Sequence, residues 1–481
     1  MDFLGGIPIA SLPHTLQDAV RVTQQLEIRY LWIDSLCLIQ DDPSDLTRQI
    51  PRMNEYYRGA AVVISASGGS DVHSGFLQHQ TRPAQQLDRM KSQLAIDNNR
   101  LGRLPYRIIR HYPEGGSYVN MLDIDPPLYR YDDEPINWRG WTLQESQLGS
   151  RLLAFPKTGG VIMRCARGTQ LVGEILTGPF AGRFGDRYGG FSGLRGREDG
   201  LKGEERRSQR DEEAHIHTVF KEWTVLVQDY SSRKLSNPED SLTAIGALAQ
   251  EYFTRFGDEL GAYIAGLWTK HVCLGLLWHV ADATQFQRLI SDQHHATIPH
   301  GYEAPSWSWA SCRKPVTFHL QKEPNMRDTY RVEDPKALEK EQSRILAQLV
   351  EHGATYRNGS NPFGAIDAAS LTVKAVLISI TRTSTDDESS PSAGHVGLDT
   401  KDGYKVDKSD LFIPDSMEAL ALIDSSCFWL PLFDATRARC RGIVVRRLEG
   451  EENIFRRLAF AEFMIYSDTL GKGEERVVRL V

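Results

Sequence analysis

Tyr30-Leu31-Trp32-Ile33-Asp34-Ser35-Leu36-Cys37 is the stretch on which the fold reading turns. Its first four residues are apolar and β-prone, of a length that suits a buried strand, and the run stops at an acidic residue. Upstream, Leu16, Ala19, Val20, Thr23 and Leu26 fall on one face at helical spacing. Thr15 stands where it would cap that helix, with Asp18 as its capping-box partner. Downstream, the polar turn Gln40-Asp41-Asp42-Pro43-Ser44 opens a second helix running to about Arg58. Pro51 should kink that helix or mark its true start, because an interior proline costs about 3 kcal/mol. Ala60-Ala61-Val62-Val63-Ile64-Ser65-Ala66 then reads as another buried strand. Helix, strand, helix, strand with short connections predicts an α/β domain on a parallel sheet flanked by helices.

Around this stretch the composition is that of an ordinary globular chain. It has 481 residues, Lys+Arg 56 against Asp+Glu 63 for a net charge of −7, 41% hydrophobic residues and 25% charged ones. These proportions exclude wholesale disorder, a collagen repeat and a disulfide-dense scaffold. Mild acidity argues against a dedicated nucleic-acid binder, which would carry a basic face. Cysteines at 37, 165, 273, 312, 427 and 440 show no C-x2-C spacing and read as reduced thiols. Met1-Asp2-Phe3-Leu4-Gly5-Gly6 is no signal peptide, and the apolar runs 262–268 and 273–280 fall far short of the ~20 residues that span a bilayer. A cytoplasmic protein without a membrane span is expected, which leaves the sequon Asn358-Gly359-Ser360 unused.

The predicted organisation is an α/β domain over 1–180, a linker or loop over 181–215, and an α+β region over 216–481. The linker begins rich in glycine and arginine and continues as a mixed-charge run, 195–213, that cannot bury apolar surface. Its alternating signs argue against a docking strip for an acidic partner. In the C-terminal region, 219–230, 240–256 and the apolar 262–280 read as helices, with helix continuing to about 300. Strands are predicted after about 370, at 371–380, 419–423, 428–433, 442–447 and 458–465, with a polar loop over 385–410.

Three stretches could carry chemistry. Ligands of open parallel sheets bind outside the carboxyl ends of strands, where Asp34 is expected to stand with Trp32 and Ser35 beside it. Asp34 there either accepts hydrogen bonds from a ribose or caps the following turn, and Cys37 reads as an inert thiol. In Asn137-Trp138-Arg139-Gly140-Trp141-Thr142-Leu143-Gln144-Glu145, a helix would put Trp141 and Glu145 on one face. A carboxylate beside an indole is partly desolvated, which raises its pKa and suits it to acid–base or oxocarbenium-stabilising work. Arg139 would hold a phosphate or pair with the acid, although spacing alone describes core tryptophans and a structural ion pair more simply. Ala304-Pro305-Ser306-Trp307-Ser308-Trp309-Ala310-Ser311 alternates Trp and Ser like a half-buried strand with its aromatics on one face. His294, His295 and His300 lack partners at metal-site spacing, so no metal is expected. No nucleotide-binding glycine fingerprint appears, and the glycine cluster at 189–196 follows no strand.

Taken together, the motifs resemble the fungal heterokaryon-incompatibility (HET) domain family. The first block is Leu12-Pro13, Asp18-Ala19, Arg29-Tyr30-Leu31-Trp32-Ile33-Asp34-Ser35-Leu36-Cys37, Ile39-Gln40-Asp41-Asp42, Met53, Tyr57, Ala60 and Gly75. Arg139-Gly140-Trp141-Thr142-Leu143-Gln144-Glu145, followed by Arg151-Leu152-Leu153 and Phe155, is similar to the family's closing motif. Tyr230-Ser231-Ser232-Arg233, Asp240, Ala265-Gly266-Leu267-Trp268 and Pro305-Ser306-Trp307-Ser308-Trp309-Ala310-Ser311 resemble its longer members. The resemblance spans about residues 10–165 and 220–315. The family's opening strand, with a Ser-x-x-Trp-Gly motif, is absent from the eleven residues before Leu12, which predicts a truncated gene model or a member without that strand. Pro51 is a smaller departure.

HET domains are related to TIR domains, so the resemblance implies a TIR- or flavodoxin-like parallel sheet. Some TIR domains cleave NAD with a glutamate four residues after a tryptophan, the spacing of Trp141 and Glu145. The resemblance therefore implies Glu145 as the catalytic carboxylate, with Trp141 and Asp34 beside it, and NAD as substrate with no bound cofactor. It implies a signalling or effector module of fungal non-self recognition and programmed cell death. A non-catalytic module that assembles with like domains and a sensor or incompatibility partner, and an accessory or cyclisation-type protein of secondary metabolism, are the competing readings.

Overall fold

The computed structural model describes residues 6–49, 52–77, 134–157, 161–165, 168–171, 209–281, 304–318, 345–357, 361–382, 398–400, 411–436, 439–464 and 474–481. The histidines at 294, 295 and 300, the glycine cluster at 189–196, the sequon at 358–360 and most of 385–410 lie outside them. The chain divides into two units, Met1–Gly196 and Arg197–Val481.

In the first unit the expected amphipathic helix is α1, His14–Gln25. Pro13 occupies its cap position, so Thr15 falls inside the first turn and does not cap it. The Thr15 hydroxyl instead donates to the Asp71 carbonyl at 3.1 Å and accepts the Gly75 N–H at 3.2 Å. Asp18 is likewise no capping partner. Its buried carboxylate accepts the backbone N–H groups of Phe76 at 2.9 Å and Leu77 at 3.1 Å, and pairs with Arg21 at 2.9 Å. These bonds hold α1 against the loop that carries Phe76, which packs with Val22 and Phe155.

The expected strand at 30–33 is not one. Ile33 is extended (φ −136°, ψ 124°), but among the described residues no strand pairs with this run, and Tyr30 is 78% exposed. Side-chain aromatics hold it instead: Trp32 stacks on Tyr56 with centroids 5.0 Å apart and meets Tyr57 edge-on at 5.7 Å. The run ends in the single turn α2, Asp34–Cys37. Two helices follow, α3 (Pro43–Gln49) and α4 (Met53–Gly59), with Pro51 falling between them.

The strand expected at 60–66 forms as β1, Val63–Ser65. After α5 (Trp141–Leu148), β2 (Arg151–Ala154) pairs parallel with β1, in the register Val63↔Leu152. A Cβ on Gly149 would lie 2.4 Å from Val63 Cγ2, so a glycine there lets the turn from α5 into β2 close over β1. β3 (Ile162–Cys165) and β4 (Gly168–Leu171) add antiparallel, giving a mixed sheet in the order β1-β2-β3-β4. One parallel pair is thus what the described residues contain of the expected parallel sheet.

The second unit opens with α6, Gln209–Ser231, which begins inside the charged run expected to be an exposed loop. α7 (Thr243–Leu260) follows. The apolar segment at 262–280, expected to be helical, is mostly not. It makes the hairpin β5 (Tyr263–Ile264) and β6 (Leu267–Trp268), the short α8 (Val272–Gly275) and β7 (Trp278–Val280), which pairs with β8 (Val316–Phe318). A segment buried on every side has no polar face, so its periodicity does not separate helix from strand. The hairpin turn is Ala265-Gly266, both at positive φ (47° and 94°), as a two-residue turn between twisted strands requires.

Trp307 and Trp309 do not line one face of a strand. Both are buried, with Ser308 fully buried between them, and a 3-10 turn runs over Trp309–Ser311. The Ser308 hydroxyl donates to the Ala265 carbonyl at 2.6 Å and caps the turn by accepting the Ala310 N–H. The Trp309 indole donates to the Gly266 carbonyl at 2.9 Å. Bonds to the hairpin, rather than a ladder, organise this motif.

Beyond it lies an eight-stranded sheet. β9 (Gln348–Tyr356) lies along the long β10 (Ile366–Arg382), whose far end pairs with β11 (Leu398–Thr400). β12 (Leu411–Pro414) is followed by α9 (Met417–Ala421), then β13 (Cys427–Thr436), β14 (Arg439–Arg447), β15 (Ile454–Met464) and β16 (Glu474–Leu480). The strand expected at 419–423 is therefore helix for most of its length, because the Ser416 hydroxyl accepts the Ala419 N–H and caps a turn there. β10 pairs with both β13 and β16, β15 pairs with β14 and β16, and β13 pairs with β14, so the ladder returns to its first strand. Trp429, Phe460, Phe463 and Leu458 are buried among its core residues.

Candidate functional site

Three short elements of the first unit bring together residues far apart in sequence. The extended run into α2 carries Trp32 and Asp34, α4 carries Tyr57, and α5 carries Glu145 one turn after Trp141. Tyr57 is the centre of the cluster. Its ring packs against the buried Val63, Leu152 and Ala154 of the β1–β2 core, and Trp32 closes its edge. Its hydroxyl lies close enough to the Glu145 carboxylate for each group to shift the other's pKa.

Glu145 sits where burial, and then the nearby Asp34 carboxylate, disfavour its charge; Arg139 and the Tyr57 hydroxyl work the other way. Burial wins, and its pKa is raised from the usual 4.5 to about 7. The Tyr57 hydroxyl is pushed far up by burial and by the Glu145 and Asp34 charges, so it remains a donor throughout the physiological range. Asp34 is exposed, and one of its oxygens accepts the Ser35 backbone N–H at 2.7 Å. Asp34 is the first residue of α2, whose cap position, Ile33, makes no side-chain cap bond, and its charge is felt at both Glu145 and Tyr57.

The residues expected at the site therefore divide. Asp34 and Arg139 both act electrostatically on Glu145, and Trp32 touches the Tyr57 ring. Trp141 is half-buried at the start of α5, and Ser35 is exposed, taking part through its backbone. Tyr57 was missed as a site residue. It stands in a block of the family resemblance, but no spacing relates it to Glu145, and only packing of α4 on the sheet aims it there. Arg164 of β3 adds a further positive group nearby, donating to the Ser146 carbonyl next to Glu145 in the chain.

Residues 4–145 match the family model described as heterokaryon incompatibility protein (HET). This segment belongs to the HET family. Asp34, Tyr57, Arg139 and Glu145 all lie within the matched HET segment. No curated protein and no solved structure matches the chain. Among the described residues, no group of His, Cys, Asp and Glu side chains could hold a metal ion, and no helix is long and apolar enough to cross a membrane.

Proposed function

We propose that the HET segment is a TIR-like NAD-cleaving effector of non-self recognition and programmed cell death, with Glu145 as its reacting carboxylate. The observation that carries this reading is the convergence of Glu145, Asp34, Arg139 and Tyr57 from separate elements, with the Glu145 pKa raised to about 7. In the proposed step the bond from ribose C1′ to the nicotinamide nitrogen breaks, and its electron pair leaves with nicotinamide. The Glu145 carboxylate stabilises the oxocarbenium-like centre at C1′. Water adds there, and its proton passes through a carboxylate to solvent, giving ADP-ribose. Asp34 suits the ribose hydroxyls and Arg139 the pyrophosphate.

The test is nicotinamide release from NAD by the full-length protein and by Glu145→Ala. Release that depends on Glu145 supports the reading. Its absence at high protein concentration, or release unaffected by the substitution, removes it.

A specific observation favours a second reading, assembly with like domains or a sensor partner. Tyr30 is 78% exposed, Trp138 53%, Ile39 56% and Leu26 44%, large apolar side chains of the kind a partner covers. Toxicity in a fungal host that survives Glu145→Ala, and falls with Tyr30→Ser and Trp138→Ser, would support this reading over catalysis.

A further inference from the structure

We infer that Arg164 is a positioning residue: from within the four-stranded sheet its buried guanidinium donates to the Ser146 carbonyl and so holds the last turn of α5, which carries Glu145. The inference rests on the reading of Glu145 as the reacting group and adds what fixes it in place. α5 has eight residues, a length at which a helix in water is marginal without outside support. The carbonyls of a last helical turn have no partner within the helix. Gly149, which follows, is extended (φ −63°, ψ 131°), so α5 does not end in the left-handed turn that commonly satisfies them. Arg164 supplies a donor from β3 instead. A cation there also suits the negative end of the helix dipole.

Arg164 can hold the turn because it is itself held. β3 lies inside the sheet, and Arg164 stands opposite Leu152 of β2 on one side and Thr169 of β4 on the other. The residue is 6% exposed, so water does not compete for its bond to Ser146. The other end of α5 is tied separately. The Thr142 hydroxyl meets the Ile136 carbonyl at 2.5 Å and the Arg139 carbonyl at 2.8 Å, which fixes the Arg139 backbone against the first turn. Thr142 thus bonds residues six and three positions away, whereas Arg164 joins α5 to the sheet across 18 positions of chain. Loss of the Arg164 donor frees the end of the helix that bears the carboxylate and leaves the Arg139 end tied.

The experiment measures nicotinamide release and amide hydrogen exchange across α5 in the full-length protein. Arg164→Ala removes the donor and leaves a space that free guanidinium can occupy. It is expected to lower kcat at least about tenfold with KM changed less than about twofold, because Glu145 loses its orientation while Arg139 keeps its own. Exchange of the amides at 145–148 should speed up at least about tenfold, with β1 and β2 unchanged. Millimolar guanidinium chloride should restore both readouts, and sodium chloride at the same concentration should restore neither. Should Arg164→Ala unfold the segment, Arg164→Lys keeps the charge and a donor, and should show the same split at smaller size with exchange raised in α5 alone. An unchanged kcat or unchanged α5 exchange in Arg164→Ala, no recovery with guanidinium, or exchange raised equally in α5 and β1–β2 in Arg164→Lys overturns the inference. If the wild type releases no nicotinamide while α5 exchange still rises in Arg164→Ala and falls back with guanidinium, the NAD reading fails and the anchoring of the Glu145 turn by Arg164 stands.

Discussion

Glu145 shows how little a side chain's type says about its chemistry until its neighbours are known. Burial raises its pKa to about 7, which puts its titration in the neutral range. If the carboxylate is the active form, kcat/KM for nicotinamide release should rise with pH through about 7 and level off above it. Asp34→Asn removes the charge that opposes ionisation, so the rising limb should move to lower pH; a pH–rate profile of both proteins checks this. Stability follows the opposite sign. The folded protein keeps a proton that the unfolded chain releases near 4.5, so stability should fall as pH rises from about 4.5 to about 7 and then stay level. Urea midpoints at pH 5 and pH 8 should therefore differ less in Glu145→Gln than in the wild type.

Among the elements, contacts that cross between segments do what local capping and periodicity were expected to do. Asp18 looks like a cap partner for α1, yet its carboxylate closes the loop at Phe76 and Leu77. Asp18→Ala should cost about 2–3 kcal/mol in urea unfolding, since a buried and a half-buried backbone donor lose a charged acceptor. Gly266 is the corresponding position in the second unit. At φ 94°, with a Cβ placed 2.4 Å from the Trp309 indole nitrogen, Gly266→Val should strain the backbone and displace Trp309. A loss of about 2–4 kcal/mol is expected, read as a lowered urea midpoint with a change in tryptophan fluorescence.

At the scale of the whole second unit, Arg457 on β15 ties the closed ladder to the aromatic layer before it. Its fully buried guanidinium pairs with Asp415 at 2.9 Å, donates to the Leu276 and Trp278 carbonyls, and lies 3.6 Å from the centroid of the Trp278 ring. The Arg457 backbone N–H meets the Ser306 hydroxyl, which donates to the Val481 carbonyl. Arg457→Met strands the Asp415 carboxylate, whose burial already pushes its pKa up, and should cost about 3–5 kcal/mol in denaturant unfolding. Asp415→Leu added to Arg457→Met should recover much of that loss, because the pair's desolvation is then removed with the pair.

Much of this was legible in order along the chain. The helix at 14–25, the strand at 63–65, the helical spacing of Trp141 and Glu145, and the strands on 371–380, 428–433, 442–447 and 458–465 all follow from local patterns of apolar and polar residues. Asp34 was singled out at the end of an expected strand and Arg139 and Glu145 from the pattern around Trp141, with the HET resemblance putting the weight on Glu145. Where expectation and structure part, burial was complete or a partner was remote. The stretch at 262–280 is buried over most of its length, so no period marks its geometry, and the Trp–Ser alternation that reads as a strand instead sets Ser308 and Trp309 against the Ala265-Gly266 turn. The run at 30–33 has a strand's composition, but a strand exists only through a neighbour to bond with, and aromatic packing on α4 holds it instead. Tyr57 belongs to the same class. Its approach to Glu145 across 88 positions of chain leaves no periodic trace, because it is set by the packing of one helix on a sheet.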